Sequence, residues 1–118
     1  MANFTFHEFI KTNHSEQNFP CDMEHVENLV CLWQYLEEIR DAFGEPIYIN
    51  SAFRTPVVNH LVGGVPTSLH LVGRAADIRP EYNKDFYDEL SRLAGIIRLS
   101  AEDLSEFIVY KDFIHIAV

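Results

Sequence analysis

The end of the chain, EFIVYKDFIHIAV over residues 106–118, decides the fold class. Apolar and aromatic residues dominate Glu106–Tyr110 and Phe113–Val118, and the polar pair Lys111-Asp112 separates them. Two short apolar runs around a polar dipeptide predict two strands joined by a tight turn, which is an antiparallel hairpin. The chain therefore ends in part of a sheet, and the preceding residues must supply the elements that pack on it.

The sequence predicts two further strands and four helices. The predicted strands are Ile47–Ile49 and Ala75–Ile78. The predicted helices are Phe6–Lys11 after a capping box at Thr5, a long helix from the cap Asp22 to Gly44, Val57–Val62 after Thr55-Pro56, and a helix capped by Asn83 that runs to about Ala94. The expected fold is α+β, with helices packed on a small, mainly antiparallel sheet in one domain over residues 1–118.

The long helix carries apolar residues at spacings of three, four and seven, which predict the face that it buries. These residues are Val26, Leu29, Val30, Trp33, Leu36 and Phe43. Cys31, beside this pattern, is predicted to be a core residue. Cys21 and Cys31 lie ten residues apart on a mostly helical segment. A rise of about 1.5 Å per residue separates them by about 15 Å, which is too far for a disulfide.

Nine Lys and Arg against eighteen Asp and Glu give a formal net charge of −9 in 118 residues. Nucleic acid is bound through clustered Lys and Arg, and this sequence has no basic run, so nucleic acid is not an expected partner. The same charge gives no attraction to an anionic membrane. No apolar run approaches the roughly 20 residues that span a bilayer, and the first residues lack a basic region before an apolar core. Neither membrane insertion nor a secretion signal is expected.

The densest group of chemically distinctive residues is SLHLVGRAAD at residues 68–77. His70 and Asp77 lie seven positions apart, and Gly73 between them permits a tight bend. An imidazole and a carboxylate in this arrangement can bind one zinc ion. A solvent-facing loop histidine and a turn aspartate are the plainer interpretation of the same residues.

His115 is a third candidate ligand, on the otherwise apolar last strand. At the surface of the sheet it would face the 68–77 loop. Two nitrogen ligands and one carboxylate would leave the fourth tetrahedral position of zinc open, which is the arrangement of catalytic zinc sites. A hydrogen-bonded core histidine is the alternative for a single histidine among apolar neighbours.

Three motifs occur in a specific order along the chain. They are INSAFRTP at residues 49–56 followed by Asn59, then VGGV at residues 62–65, then S-x-H-x-x-G-x-A-x-D from Ser68 to Asp77, with His115 much later. In this order the chain resembles the zinc D-alanyl-D-alanine carboxypeptidase family, which includes murein endopeptidases and phage endolysins and shares its metal-site fold with the hedgehog signalling domain. The resemblance implies the hedgehog/DD-peptidase fold.

The resemblance also implies roles for individual residues. It implies that His70, Asp77 and His115 hold one zinc ion, and that Arg54 and Ser68 bind the peptide substrate. A planar guanidinium can hold a carboxylate or carbonyl through paired hydrogen bonds, which suits Arg54. Ser68 could instead cap the ligand loop.

In the family an acidic residue commonly precedes the last histidine by three positions, and Asp112 occupies that place here. The resemblance therefore implies that Asp112 is the general base and then the general acid. If the hairpin turn does not bring Asp112 inward, Glu106 is the reserve candidate. A plain turn residue is the alternative interpretation of Asp112.

The sequence thus predicts a zinc metallopeptidase that cleaves peptidoglycan stem peptides with zinc-activated water, as a D-alanyl-D-alanine carboxypeptidase or an endolysin-type endopeptidase. The alternative is a non-catalytic zinc-containing module that binds peptidoglycan or a protein partner. A third interpretation is a metal-free structural protein of a phage. Without an expected signal peptide, the chain is expected to be made in the cytoplasm and released to the wall by phage lysis, or to act on wall fragments inside the cell. The oligomeric state stays open.

Overall fold

Four antiparallel strands form one sheet in the part of the chain that the computed structural model describes, residues 3–14, 17–82 and 84–118. In chain order the elements are α1 (Phe6–Ile10), α2 (Met23–Phe43), β1 (Ile47–Ser51), α3 (Pro56–Leu61), β2 (Ala75–Pro80), α4 (Phe86–Arg98), β3 (Glu106–Val109) and β4 (Ile114–Ala117), with 3₁₀ turns at Leu69–Val72 and Ala101–Asp103. The strand order is β1-β2-β4-β3. The α+β class expected from the sequence is confirmed.

The predicted hairpin supplies two of these strands. β3 and β4 are joined by a turn in which the Tyr110 amide donates to the Phe113 carbonyl at 2.8 Å. β4 also pairs with β2, which places Asp77 directly opposite His115. β1 pairs with the other side of β2, with a register shift before Ser51. β2 and β4 are therefore the inner strands, so their residues have neighbours on both sides.

The two faces of the sheet differ because side chains alternate along each strand. Ile78 and Ile114 are cross-strand partners and are fully buried in the core. Asp77 and His115 are the next pair along, so they lie on the opposite face. We call the face that carries Asp77 and His115 the open face.

α2 and α4 bury apolar side chains in the core on the other face of the sheet. The buried residues of α2 are Leu29, Leu32, Leu36, Ile39 and Phe43, and those of α4 are Leu90, Leu93, Ala94 and Ile97. The spacing in α2 is three and four in alternation, which keeps one narrow stripe against the core.

The predicted stripe of α2 was wrong in part. Val30 is 47% exposed, and Cys31, predicted to be a core residue, is exposed. Leu32 is fully buried in their place. Neighbouring helical residues differ by about 100° around the axis, so turning Leu32 into the core turns Cys31 toward solvent.

The ends of α2 follow its capping signals. The Asp22 carboxylate accepts a hydrogen bond from the Glu24 amide at 2.8 Å, and Gly44 ends the helix with a φ of +77°. A left-handed residue at this position favours glycine, because it has no Cβ to clash. The predicted boundaries of α2 are therefore confirmed.

The boundaries of α4 differ from the prediction. The predicted cap, Asn83, lies outside the described residues, and the helix begins after Asp85. It continues to Arg98 instead of ending near Ala94, and the added turn carries Ile97 into the core. Burial of one large apolar side chain thus extends the helix past Gly95.

The segment after β1 is tied to the N-terminal part of the chain. The buried Asn18 side chain donates to the carbonyls of Ile10 and Phe53 and accepts from the Thr55 amide, each at 2.8 Å. The Phe53 amide donates to the Phe9 carbonyl at 2.9 Å. These bonds hold the segment beside the open face.

Two further expectations from the sequence concern the cysteines and membrane-spanning helices. Cys21 and Cys31 are both free and exposed. Across the described ranges, every helix is too short or too polar to cross a membrane.

Candidate metal centre

His70, Asp77 and His115 come together on the open face, although they are far apart in the sequence. His70 Nε2 lies 3.3 Å from Asp77 Oδ1, and His115 Nδ1 lies 2.7 Å from the same oxygen. One ligand atom of each residue lies within 4.8 Å of the others. Two imidazole nitrogens and one carboxylate oxygen therefore converge on one point.

The sheet register brings two of the three residues together. Asp77 on β2 and His115 on β4 are directly paired, and paired residues of neighbouring strands have Cβ atoms about 4.5–5.5 Å apart. A shift of either strand by one residue would turn that side chain into the core. The apolar partners Ile78 and Ile114 thus also determine where the polar pair lies.

His70 reaches the same point from the 3₁₀ turn before β2. Gly73 ends this turn with a φ of +79°, and its amide contacts the His70 carbonyl at 3.4 Å. A Cβ at Gly73 would lie 2.7 Å from the His25 carbonyl oxygen and 3.0 Å from a Leu29 side-chain carbon. The position therefore requires glycine for its backbone conformation and for its contact with α2.

The outer nitrogen of each imidazole has an acceptor of its own. His70 is 2% exposed, and its Nδ1 lies 2.6 Å from the Ala52 carbonyl oxygen. His115 Nε2 lies 2.8 Å from Glu106 Oε1. Because a carbonyl and a carboxylate only accept, both outer nitrogens donate, which directs Nε2 of His70 and Nδ1 of His115 toward Asp77.

The charges of the cluster are strongly coupled. Burial alone would raise the pKa of Asp77, but hydrogen bonds from His115 and His70 outweigh it and hold that pKa well below its ordinary value. The hydrogen bond to Asp77 raises the pKa of His115 above its ordinary value, burial opposes this, and Glu106 adds to the rise. Asp77 is thus a carboxylate that attracts cations.

This donor set fits a zinc ion. Zinc in proteins is bound by imidazole nitrogen and carboxylate oxygen, and its histidine ligands almost always donate their second nitrogen to a carboxylate or a backbone carbonyl. His70 does this with Ala52 and His115 does it with Glu106. Three protein ligands are also the number found in catalytic zinc sites.

Arg54 lies beside the cluster, and each of its three nitrogens has a partner. Nε donates to Ser51 Oγ at 3.0 Å, and the two terminal nitrogens donate to Asn59 Oδ1 and Asp77 Oδ2, each at 3.3 Å. Burial lowers the pKa of Arg54, and the charge of Asp77 opposes this. The guanidinium is therefore held in one orientation by three groups from three parts of the fold.

Ser68 starts the turn that carries His70. Its hydroxyl accepts from the His70 amide at 3.2 Å. This contact is the capping role that the sequence left open. Substrate binding by Ser68 stays a prediction.

Glu106 and Asp112 occupy different places. Glu106 contacts the outer nitrogen of His115, whereas Asp112 is exposed on the turn between β3 and β4. Asp112 lines a surface hollow of about 350 Å³ together with Asn50, Arg79, Phe86 and Phe113. The structure thus brings the reserve candidate, Glu106, against a proposed metal ligand, and does not bring Asp112 into a hydrogen bond with one.

The sequence did not predict two contacts of the site. The Ala52 carbonyl orients His70, and no side-chain pattern marks a backbone oxygen. The buried Asn59 side chain accepts from Arg54 and donates to the Val65 carbonyl at 3.0 Å. The signal for Asn59 was its position in the shared motif just before Gly63-Gly64.

Comparison with known proteins supports the resemblance. A family model described as Peptidase M15 matches residues 2–117, a range that includes all three candidate ligands. The zinc D-Ala-D-Ala carboxypeptidase of Streptomyces albus G is 35% identical over 80 residues. That match covers 65% of this chain and 31% of the relative, so the chain spans about a third of the relative's length.

Proposed function

Because this chain belongs to the peptidase M15 family, we propose that it is a zinc-dependent peptidase that cleaves a peptide bond in peptidoglycan stem peptides. The observation that carries the proposal is the convergence of His70, Asp77 and His115, with both outer imidazole nitrogens already hydrogen-bonded. The name of the Streptomyces albus G relative supports the substrate class. Carboxypeptidase and endopeptidase action are both compatible with the proposal.

The three residues would hold one zinc ion per chain. When bound, zinc supplies a Lewis acid for the carbonyl oxygen of the scissile bond and lowers the pKa of the attacking water. Asp77 would offer Oδ1 to the ion, because Arg54 occupies Oδ2. The imidazoles of His70 and His115 would offer the nitrogens that already face Asp77.

Arg54 is proposed to bind and orient the peptide. A guanidinium has five N–H donors, and three of its nitrogens each use one here. Two donors are left for a substrate carboxylate or carbonyl. Because three hydrogen bonds already fix the Arg54 guanidinium, this side chain loses little conformational entropy when substrate binds.

Asp112 is proposed to take a proton from the attacking water and to return it to the leaving amine; because the hairpin turn leaves Asp112 exposed, Glu106 is the alternative for this step. It lies three residues before His115, on the turn that leads into β4. Its carboxylate makes no hydrogen bond or ion pair in the described chain, so it is available to accept a proton. Glu106 already accepts from His115, and its proposed role is to orient that ring.

The proposal is tested by incubating the zinc-loaded protein with defined stem peptides and identifying the products by mass spectrometry. We expect cleavage that stops when zinc is chelated and resumes when zinc is restored. His70→Ala should fold, lose zinc and lose cleavage. Release of the terminal residue alone would identify a carboxypeptidase, and an internal cut would identify an endopeptidase.

The contrary outcome is a zinc-loaded wild-type protein that leaves every stem peptide intact. That result would overturn the proposed hydrolysis. If such a protein still bound the peptides, it would be a non-catalytic binding module.

A further inference from the structure

A second polar group lies on the open face beside the candidate metal centre. Arg79 follows Asp77 by two positions on β2, so both side chains lie on the same face, about 6.6 Å apart along the strand. Tyr48 on β1 is the cross-strand partner of Arg79. Lys11 Nζ lies 3.6 Å from the centre of the Tyr48 ring, and Arg79 Cζ lies 4.3 Å from it. Two cations thus share one aromatic ring next to the metal centre.

Arg79 is held in place by neutral groups. Its Nε donates to Asn50 Oδ1 at 3.1 Å, and one terminal nitrogen donates to the Pro80 carbonyl at 3.2 Å. Neither Arg79 nor Lys11 forms an ion pair with a carboxylate among residues 3–14, 17–82 and 84–118.

The remaining donors of Arg79 have room for a ligand. Five N–H groups less the two in use leave three, including both on the second terminal nitrogen. Arg79 lines the hollow of about 350 Å³ that also borders Phe113 and Asp112. A fixed guanidinium at the wall of an open hollow matches the geometry that binds a carboxylate through two parallel hydrogen bonds.

We propose that Arg79, supported by Lys11 and Tyr48, binds a carboxylate of the substrate about two residues from the scissile bond. An extended peptide advances about 3.3 Å per residue, so two residues span the separation between Asp77 and Arg79 along β2. The inference rests on the proposed peptidase function, because it places this subsite relative to the bond that the metal centre would cleave. The Arg79 subsite would favour stem peptides with a free side-chain carboxylate over the same peptides with that group amidated.

Two acidic residues lie in this part of the surface. Asp112 lines the same hollow, and the charge of Glu81 acts on the Tyr48 hydroxyl. Neither is within ion-pair distance of Arg79 or Lys11. Repulsion between separated exposed charges is screened over about 8 Å at physiological salt, whereas paired hydrogen bonds act at contact. The direct contact with Arg79 therefore decides the preference.

The test uses a fluorescent stem peptide and analogues in which each side-chain carboxylate is converted in turn into a carboxamide. Equilibrium binding to the zinc-loaded protein is measured by anisotropy, and cleavage of the same peptides is followed separately. For the wild type we expect one amidation to weaken binding roughly tenfold, as for loss of a charge-assisted contact. Arg79→Gln should weaken binding of the parent peptide to the same extent and abolish the discrimination.

The controls separate this effect from charge and from folding. Arg98→Gln, on the exposed part of α4, makes the same charge change and should keep the discrimination. Arg79→Lys should retain part of it, and Lys11→Gln should reduce it less than Arg79→Gln does. Zinc content and thermal unfolding of each variant show whether the fold is kept. If Arg79→Gln fails to fold, the discrimination between each peptide and its amide is measured in Lys11→Gln instead.

Equal binding of every peptide and its amide by the wild type, or unchanged discrimination in Arg79→Gln, would overturn the subsite. Peptides that are cut without discrimination would overturn the subsite alone. Peptides that are bound with discrimination but left uncut would support the subsite and overturn the proposed hydrolysis.

Discussion

Asp77 and Arg54 form an ion pair in which Asp77 Oδ2 lies 3.3 Å from a terminal nitrogen of Arg54. The other oxygen of Asp77 faces the imidazoles of His70 and His115. The pair therefore joins a proposed metal ligand to the residue proposed to bind substrate. Because Arg54 holds Oδ2, Asp77 presents one oxygen to a metal ion, and a change at Arg54 should affect both functions.

Arg54→Lys tests this double role. An ammonium keeps the charge but cannot hold Ser51, Asn59 and Asp77 at the same time. We expect kcat/KM to fall about 10²-fold through misplacement of the substrate, and zinc affinity to fall about tenfold through the loosened carboxylate. Steady-state kinetics and zinc titration against a competing chelator measure the two effects. Wild-type values of both would show that the ion pair is incidental.

Glu106→Gln tests the orientation of His115. The amide keeps the shape of the side chain but weakens the acceptor for His115 Nε2, which makes the ring a poorer zinc ligand. We expect zinc affinity to fall about 10- to 100-fold, with kcat largely restored when zinc is in excess. The chelator titration and kinetics at saturating zinc check this. A loss of kcat that excess zinc does not restore would instead make Glu106 the base.

Asp112→Asn tests proton transfer. Asp112 makes no contact with the three proposed ligands, so its change should leave zinc affinity unaltered. Loss of a general base should lower kcat by about 10²- to 10⁴-fold. The pH dependence of kcat should lose its acidic limb at the same time. Full activity of Asp112→Asn would leave Asp112 as a plain turn residue.

Gly64→Ala tests the support of Arg54 by Asn59. A Cβ at Gly64 would clash with Asn59 Oδ1 and lie 3.0 Å from an Arg54 nitrogen. Asn59 is 4% exposed and hydrogen-bonded to the Val65 carbonyl, so moving its side chain would break that bond and disturb the surrounding packing. We expect the free energy of unfolding to fall by about 1–3 kcal/mol and kcat/KM to fall with it.

Gly95→Ala is the matched control for that substitution. Gly95 lies inside α4, and beyond its chain neighbours and the nearby backbone of the helix its added Cβ would meet no atom within 4 Å. It should stabilise the protein by about 0.5–1 kcal/mol through helix propensity, without affecting kcat/KM. Chemical denaturation and kinetics of both variants check the pair. A Gly64→Ala protein that behaves like Gly95→Ala would show that Asn59 does not position Arg54.

The hairpin, the capped α2 and the α+β class could be predicted because each depends on local signals. Lys111-Asp112 between two apolar runs indicates a turn, and Asp22 and Gly44 satisfy the ends of a helix. The phase of α2 could not be predicted in full. Whether Val30 or Leu32 faces inward depends on the sheet against which the helix packs, and that is a tertiary effect.

The three proposed metal ligands could be named from the sequence because their motif is specific. The groups that accept hydrogen bonds from the outer nitrogens of the two imidazoles could not all be named from the sequence. The bond from His70 to Ala52 joins a side chain to a backbone carbonyl 18 residues away, and such a bond leaves no residue type to recognise. The contact of Glu106 with His115 follows from the β3–β4 register, which places Ile108 opposite His115 and leaves Glu106 two positions along on the same face.

X-ray absorption of the zinc-loaded protein reports the atoms that surround the metal, so it tests whether His70, Asp77 and His115 are its ligands. We expect nitrogen and oxygen neighbours at about 2.0–2.2 Å, with two imidazoles in the wild type and one in His115→Ala. A sulfur neighbour at about 2.3 Å, which would point to Cys21 or Cys31, would contradict it. A shell that is unchanged in His115→Ala would contradict it equally.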